Sequence, residues 1–226
     1  MRLALFVLVF VAAVLGQFTT NPGNYRPVQN LDTFTLGEQA LLLVTASNTT
    51  YPNVQSDIYI STASNDEDLI GGERDLLLHV DYAPSGRNIS TNAGSGLWSV
   101  NSPQSVSGFF LLQLDGKHNS STLDLSGFGP RDLTAGGQAQ ALNATLKTTT
   151  QTQFSFFFYN ANGDVCSSHV AIPNGYNKRI NYYFPYNQFR GDCDFGAITA
   201  IEISIEAFSQ VGAAITFLGT VGAPQS

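Results

Sequence analysis

Sulfur, indole and charge are all scarce in this chain. It has two cysteines, Cys166 and Cys193, one methionine and one tryptophan among 226 residues, and charged residues make up only 12%. Two cysteines cannot build a cysteine-rich scaffold or a four-thiolate zinc site, and no C-x-x-C pair suggests redox exchange. The three histidines, His79, His118 and His169, form no H-x-H or H-E-x-x-H pattern, which removes the usual zinc hydrolases. A G-x-S-x-G elbow, a P-loop and a dinucleotide-binding fingerprint are also missing; Gly127-Phe128-Gly129 runs into Pro130, a turn signal rather than the start of a phosphate-cradling helix. Basic residues number 10 against 17 acidic ones, for a net charge of −7. An acidic surface disfavours nucleic acid and anionic lipid as partners.

What the chain does contain points outward from the cell. One arginine precedes an apolar run, Leu3 to Leu15, that ends in small residues before Gln17. A bilayer span needs about 20 apolar residues, so the run reads as a signal peptide over residues 1–16. The expected mature protein, residues 17–226, is then a single domain with no transmembrane segment, since no linker or internal repeat divides it. In an oxidising compartment Cys166 and Cys193 are expected to pair, removing roughly 3–4 kcal/mol of unfolded-state entropy. Four N-x-[ST] sequons, at Asn48, Asn88, Asn119 and Asn143, fit a glycoprotein, with Asn88 and Asn119 in the most polar surroundings.

Two-residue alternation dominates the mature part. Leu76, Leu78, Val80 and Tyr82 fall on one face of a strand over 74–82, with Asp75, Leu77, His79 and Asp81 on the other. Ile201, Ile203 and Ile205 alternate with Glu202, Ser204 and Glu206, the pattern of a half-buried strand. Further strands are expected over 40–46, 107–114, 138–146, 153–159, 165–172, 179–184 and 213–218. Asp115-Gly116 and Asn162-Gly163 supply turn chemistry, the second at hairpin spacing. The strand over 153–159 carries Phe154, Phe156 and Phe158 on one face and Phe157 and Tyr159 on the other, which predicts a central strand covered on both sides. The predicted fold is all-β: one antiparallel β-sandwich of jelly-roll type.

Three stretches carry a resemblance. Leu69-Ile70-Gly71-Gly72-Glu73-Arg74-Asp75-Leu76, Leu114-Asp115-Gly116 with Gly127 to Gly137, and Phe189 to Glu202 are similar, in the same order, to segments of uncharacterised secreted bacterial proteins. Many of those proteins bear a PEP-type C-terminal sorting signal. The likeness spans roughly Leu69 to Val221. It implies a jelly-roll-like sandwich related in pattern to galactose-binding-like domains, and it implies no activity. This chain ends at Gly222-Ala223-Pro224-Gln225-Ser226 without the sorting tail, so release rather than anchoring is expected.

Three groups of residues are candidates for chemistry. Glu202 and Glu206 share a strand face and resemble the E-x-D-x-E strand of jelly-roll glycosidases, with Ser204 in place of the central acid. Asp66, Asp68, Glu73 and Asp75 gather around the Gly71-Gly72 turn and could supply oxygens to a structural Ca2+; the competing reading is a solvated acidic turn. Trp98, Tyr182, Tyr183 and Tyr186 are the aromatics that could stack on sugar rings, against the commoner role of core packing. The favoured expectation is a secreted, non-catalytic sandwich that is structural or binds extracellular polysaccharide or a matrix protein. The alternative is a glycan-active hydrolase using Glu202 and Glu206.

Overall fold

Alternating apolar positions leave an extended chain one solution, which is to bury the same face of two sheets against each other. The protein does this. A computed structural model describes residues 25–35, 38–44, 57–61, 69–84, 86–116, 122–173, 177–207 and 210–224. The leader over 1–16 lies outside these residues. Fourteen strands form two seven-stranded sheets, and every pairing is antiparallel.

The first sheet contains β1 (Tyr25–Asp32), β2 (Gln39–Val44), β5 (Asn88–Gly94), β6 (Leu97–Ser102), β8 (Ala141–Thr148), β11 (Ile180–Pro185) and β14 (Val211–Pro224). Its order is β11-β8-β14-β6-β5-β2. The long β14 pairs with β8 along one side, and with β6 and then β1 along the other. The second sheet runs β12 (Arg190–Gly191), β10 (Val165–Ile172), β9 (Thr152–Asn160), β13 (Ile198–Ala207), β7 (Ser107–Leu114), β4 (Glu73–Tyr82), β3 (Asp57–Ser61).

The core between the sheets follows from side-chain parity. Phe154, Phe156 and Phe158 of β9, Ile201, Ile203 and Ile205 of β13, Phe110 and Leu112 of β7, and Leu76 and Leu78 of β4 meet Trp98, Leu142, Phe184 and Ile215 of the first sheet. An ion pair shares this interior. Arg74 of β4 reaches across to β1, where its guanidinium donates to both Asp32 oxygens at 2.9 and 2.7 Å, and to Gln39 Oε1 at 3.0 Å. The Phe34 ring lies 5.5 Å from the guanidinium carbon. A buried ion pair holds only when its hydrogen bonds are met, and here they tie the two sheets together.

Cys166 of β10 and Cys193 form the expected disulfide, with Cα atoms 5.2 Å apart. It fastens β10 to the loop between β12 and β13. The Asn162-Gly163 turn joins β9 to β10 as a hairpin. Most observed strands lie within one or two residues of those predicted, with two larger differences: the 138–146 pattern becomes the strand Ala141–Thr148, and the 213–218 pattern is the middle of the fourteen-residue β14.

Candidate functional site

With odd or even positions of each strand committed to the core, the remaining positions define an outward face on each sheet. The two faces differ in chemistry. On the first sheet, β5 and β6 present Asn88, Ser90, Asn92, Ser99 and Asn101, small polar groups without an aromatic between them. Its aromatic cluster is Tyr25 stacked on Tyr183 at 4.6 Å, next to Ala141 and Val221.

The second sheet is different. Its three central strands align in register as rows across the outward face. Gln113 of β7 lies opposite Glu202 of β13, which lies opposite Phe157 of β9. Leu111, Ser204 and Ser155 form the next row, and Phe109, Glu206 and Gln153 the third. Beyond β7, β4 adds Asp75, Leu77 and His79 to the three rows; beyond β9, β10 adds Ser167, His169 and Ala171. An ordinary outer face leaves such side chains solvated. Here Gln113, Leu77 and Ser155 are buried, and Glu202, Ser204, Glu206, Phe109 and Phe157 are half-buried. The side chains at the centre of the face pack against one another.

Hydrogen bonds and ring contacts fix these side chains. Gln113 Nε2 donates to Glu202 Oε2 at 2.8 Å, and Gln153 Nε2 to Glu206 Oε1 at 3.4 Å. The His79 ring stacks on Phe109 at 4.4 Å, and Phe157 meets His169 edge-on at 5.7 Å. His169 Nδ1 and Ser155 Oγ are hydrogen-bonded at 2.8 Å. Burial pushes the Glu202 carboxyl above its usual range, partly offset by Gln113 and reinforced by the Asp115 charge. Burial, with Glu202 nearby, raises the Tyr159 phenol to about 12. Both shifts mark a partly desolvated site.

Several residues singled out by sequence sit elsewhere. Trp98 is fully buried, its indole N–H donating to Thr91 Oγ1 at 2.8 Å, and Tyr182 packs in the same core beside Phe184. Tyr183 lies beneath Tyr25, and Tyr186 stacks on Phe195 at 4.1 Å while its hydroxyl donates to Leu133 O. These four therefore offer no open ring face, and core packing is the reason. On the outward face of the second sheet the half-buried rings are Phe109, Phe157 and Tyr159, and Tyr82 at the end of β4 is exposed. The sequence pattern placed Phe157 and Tyr159 on a covered face; the structure covers only the Phe154, Phe156 and Phe158 side and leaves the other half-exposed.

Glu202 and Glu206 do share a face, as the alternation implied. Four residues along a strand separate their Cα atoms by about 13 Å, more than the roughly 5–9.5 Å between carboxyls of glycosidase pairs. Each glutamate is bound to a glutamine on a different neighbouring strand rather than turned toward the other. Of the proposed calcium ligands, Asp66 and Asp68 lie outside the described residues. Glu73 and Asp75 are buried on the outward side of β4 rather than solvated in a turn. Among the described residues no three acidic, histidine or cysteine side chains gather closely enough to hold a metal. Of the sequons, Asn88 is exposed at the start of β5, whereas Asn143 is only 9% exposed in the middle of β8. Asn48 and Asn119 lie outside the described residues.

No protein family and no curated protein matches the sequence. Solved structures give remote likenesses. A family 11 carbohydrate-binding module from Clostridium thermocellum is 9% identical, with 88% of this chain and 97% of that one covered, at a TM-score of 0.43. An exo-beta-agarase is 12% identical over 88% of this chain and 25% of its own length, at 0.42. A mutant of a family 29 carbohydrate-binding module is 11% identical over 82% of this chain and 95% of its own, at 0.34. At these scores no residue-level correspondence can be drawn.

Proposed function

We propose that this is a secreted, non-catalytic β-sandwich that binds extracellular glycan on the outward face of its second sheet. The reading rests on one observation, the partly buried rows in which aromatic, carboxylate and amide side chains lie side by side across β7, β13 and β9. Sugars present apolar C–H faces ringed by hydroxyls. A half-buried ring can cover the first, while a carboxylate accepts from the hydroxyls and an amide both accepts from and donates to them.

Charge narrows the ligand class. Asp75, Glu202 and Glu206 lie on the outward side of β4 and β13, and Asp81 is exposed beside His79. Among the described residues the outward side of this sheet carries one arginine, Arg190, on the two-residue edge strand β12. Uronic or sulfated chains would meet like charge, so the face suits neutral hexose and N-acetylhexosamine polymers.

Binding of the secreted protein to a panel of soluble and insoluble glycans tests the reading. The expected result is retention on a neutral β-linked polysaccharide, at least ten-fold weaker retention on a carboxymethylated or sulfated form, and about ten-fold weaker retention with a folded Phe157→Ala variant. The structural, ligand-free reading gains if no neutral glycan is retained. Release of reducing ends, abolished by Glu202→Gln, would support the hydrolase alternative instead.

A further inference from the structure

The outward face repeats itself. Around Ser204, at the centre of β13, each group on one side has a counterpart on the other. Glu202 answers Glu206, Phe157 of β9 answers Phe109 of β7, and Gln113 of β7 answers Gln153 of β9. In each half the glutamate sits between a phenylalanine on one neighbouring strand and a glutamine on the other, with the strands exchanged. The arrangement has an approximate two-fold axis through Ser204, normal to the sheet.

The correspondence reaches the contacts. Each glutamate accepts a hydrogen bond from its own glutamine, at 2.8 Å for Glu202 and 3.4 Å for Glu206, which leaves the second carboxylate oxygen available to a ligand hydroxyl. The histidines do not follow the two-fold: His79 lies opposite Phe109 and stacks on it at 4.4 Å, whereas His169 lies opposite Ser155 and meets Phe157 edge-on at 5.7 Å. The symmetry is confined to the outer rows of β7, β13 and β9: the row between the halves sets Leu77 and Leu111 against Ser155 and His169, and beyond β7 and β9 Asp75 and His79 answer to Ala171 and Ser167.

From this geometry, and resting on the glycan reading above, we infer that the face is two half-sites, Phe157–Glu202–Gln113 and Phe109–Glu206–Gln153. They are centred about 13 Å apart along β13 and are filled together by one extended neutral oligosaccharide. A single sugar ring cannot reach both. A chain long enough to do so gains the second contact as an intramolecular event, so its affinity exceeds that of a short one by far more than the added contacts of a single site. Because the halves are related by two-fold rotation, they impose no strong preference for chain direction. The protein then holds the interior of a polymer rather than its end.

Calorimetric titration of the intact secreted protein with neutral β-linked gluco-oligosaccharides and chito-oligosaccharides, from disaccharide to hexasaccharide, tests this. Affinity is expected to rise by at least a hundred-fold across the series. Phe109→Ala and Phe157→Ala are each expected to remove about ten-fold of hexasaccharide affinity and to leave the weak disaccharide binding within two-fold. The double variant is expected to flatten the length dependence. Melting temperature controls for folding, and Glu206→Gln serves as a milder change in the second half. Hexasaccharide binding lost with Phe157→Ala but untouched by Phe109→Ala and Glu206→Gln would leave one site and overturn the duplication, with glycan binding intact. A disaccharide that binds as well as a hexasaccharide would do the same. No binding by any oligosaccharide would defeat the glycan reading itself.

Discussion

Phe156 and Phe157 are chain neighbours with opposite fates. Phe156 is fully buried against Phe184, with ring centroids 4.8 Å apart, whereas Phe157 lies half-buried on the outward face beside Glu202. Phe156→Ala is therefore expected to cost about 3–5 kcal/mol by leaving a core cavity. Phe157→Ala should stay within about 1 kcal/mol while losing ligand. Denaturant titration of the two variants separates the roles, and equal destabilisation would show that Phe157 is a core residue. Glu202 makes a second test. Asp75, Asp115, Gln113, Tyr159 and Phe157 surround it, and its carboxyl is raised by burial first and by Asp115 next. The folded protein thus holds that proton more tightly than the unfolded chain. The stabilisation is complete below the ordinary value of 4.5 and is lost as pH rises through the raised one. Glu202→Gln should lose less stability than the wild type between pH 4.5 and neutrality; superimposable pH profiles would contradict the burial. Glu202 and Glu206 were legible as a pair on one face, because a two-residue period needs only the sequence. Their aromatic and amide partners were not, because cross-strand register depends on contacts between distant segments.

Among the elements, strands with strict apolar alternation were legible to within a residue or so. The 107–114 and 165–172 strands match their observed limits, and β4 and β13 differ only at their ends. β5 and β6 gave no comparable signal. Their outward positions are Asn, Ser and Gly, and their inward ones mix Ile89, Ala93 and Trp98 with Thr91 and Ser102, so apolar contrast is low. The link between β1 and β4 was equally hidden, since a buried Asp–Arg pair reads in sequence as two surface charges. Asp32→Ala is expected to cost about 3–5 kcal/mol, because it strands the Arg74 guanidinium between the sheets. Replacing Asp32 and Arg74 together by apolar residues of similar volume should restore much of that. A small loss for Asp32→Ala alone would show that water reaches the pair.

For the molecule as a whole, the sandwich separates a first sheet whose β5 and β6 are polar outside from a second sheet that carries rings, carboxylates and amides there, and modification should follow that division. Asn88, exposed at the end of β5, is expected to carry a glycan when the protein passes through a glycosylating secretory route. Asn143 is held within the first sheet between β11 and β14 and should remain bare. Peptide mapping after glycosidase treatment in heavy water distinguishes the two, and full occupancy at Asn143 would mean that β8 is not paired as described. The disulfide belongs to this scale also, since it fixes the edge of the second sheet beside the candidate face.

The most direct test of the account is chemical-shift mapping of the isotopically labelled protein titrated with a neutral gluco-oligosaccharide or chito-oligosaccharide. The account predicts that the perturbed amides and side chains cluster at Phe109, Gln113, Gln153, Phe157, Glu202, Ser204 and Glu206. Perturbations confined to β5, β6 and β14 of the opposite sheet, or none at saturating ligand, would contradict it.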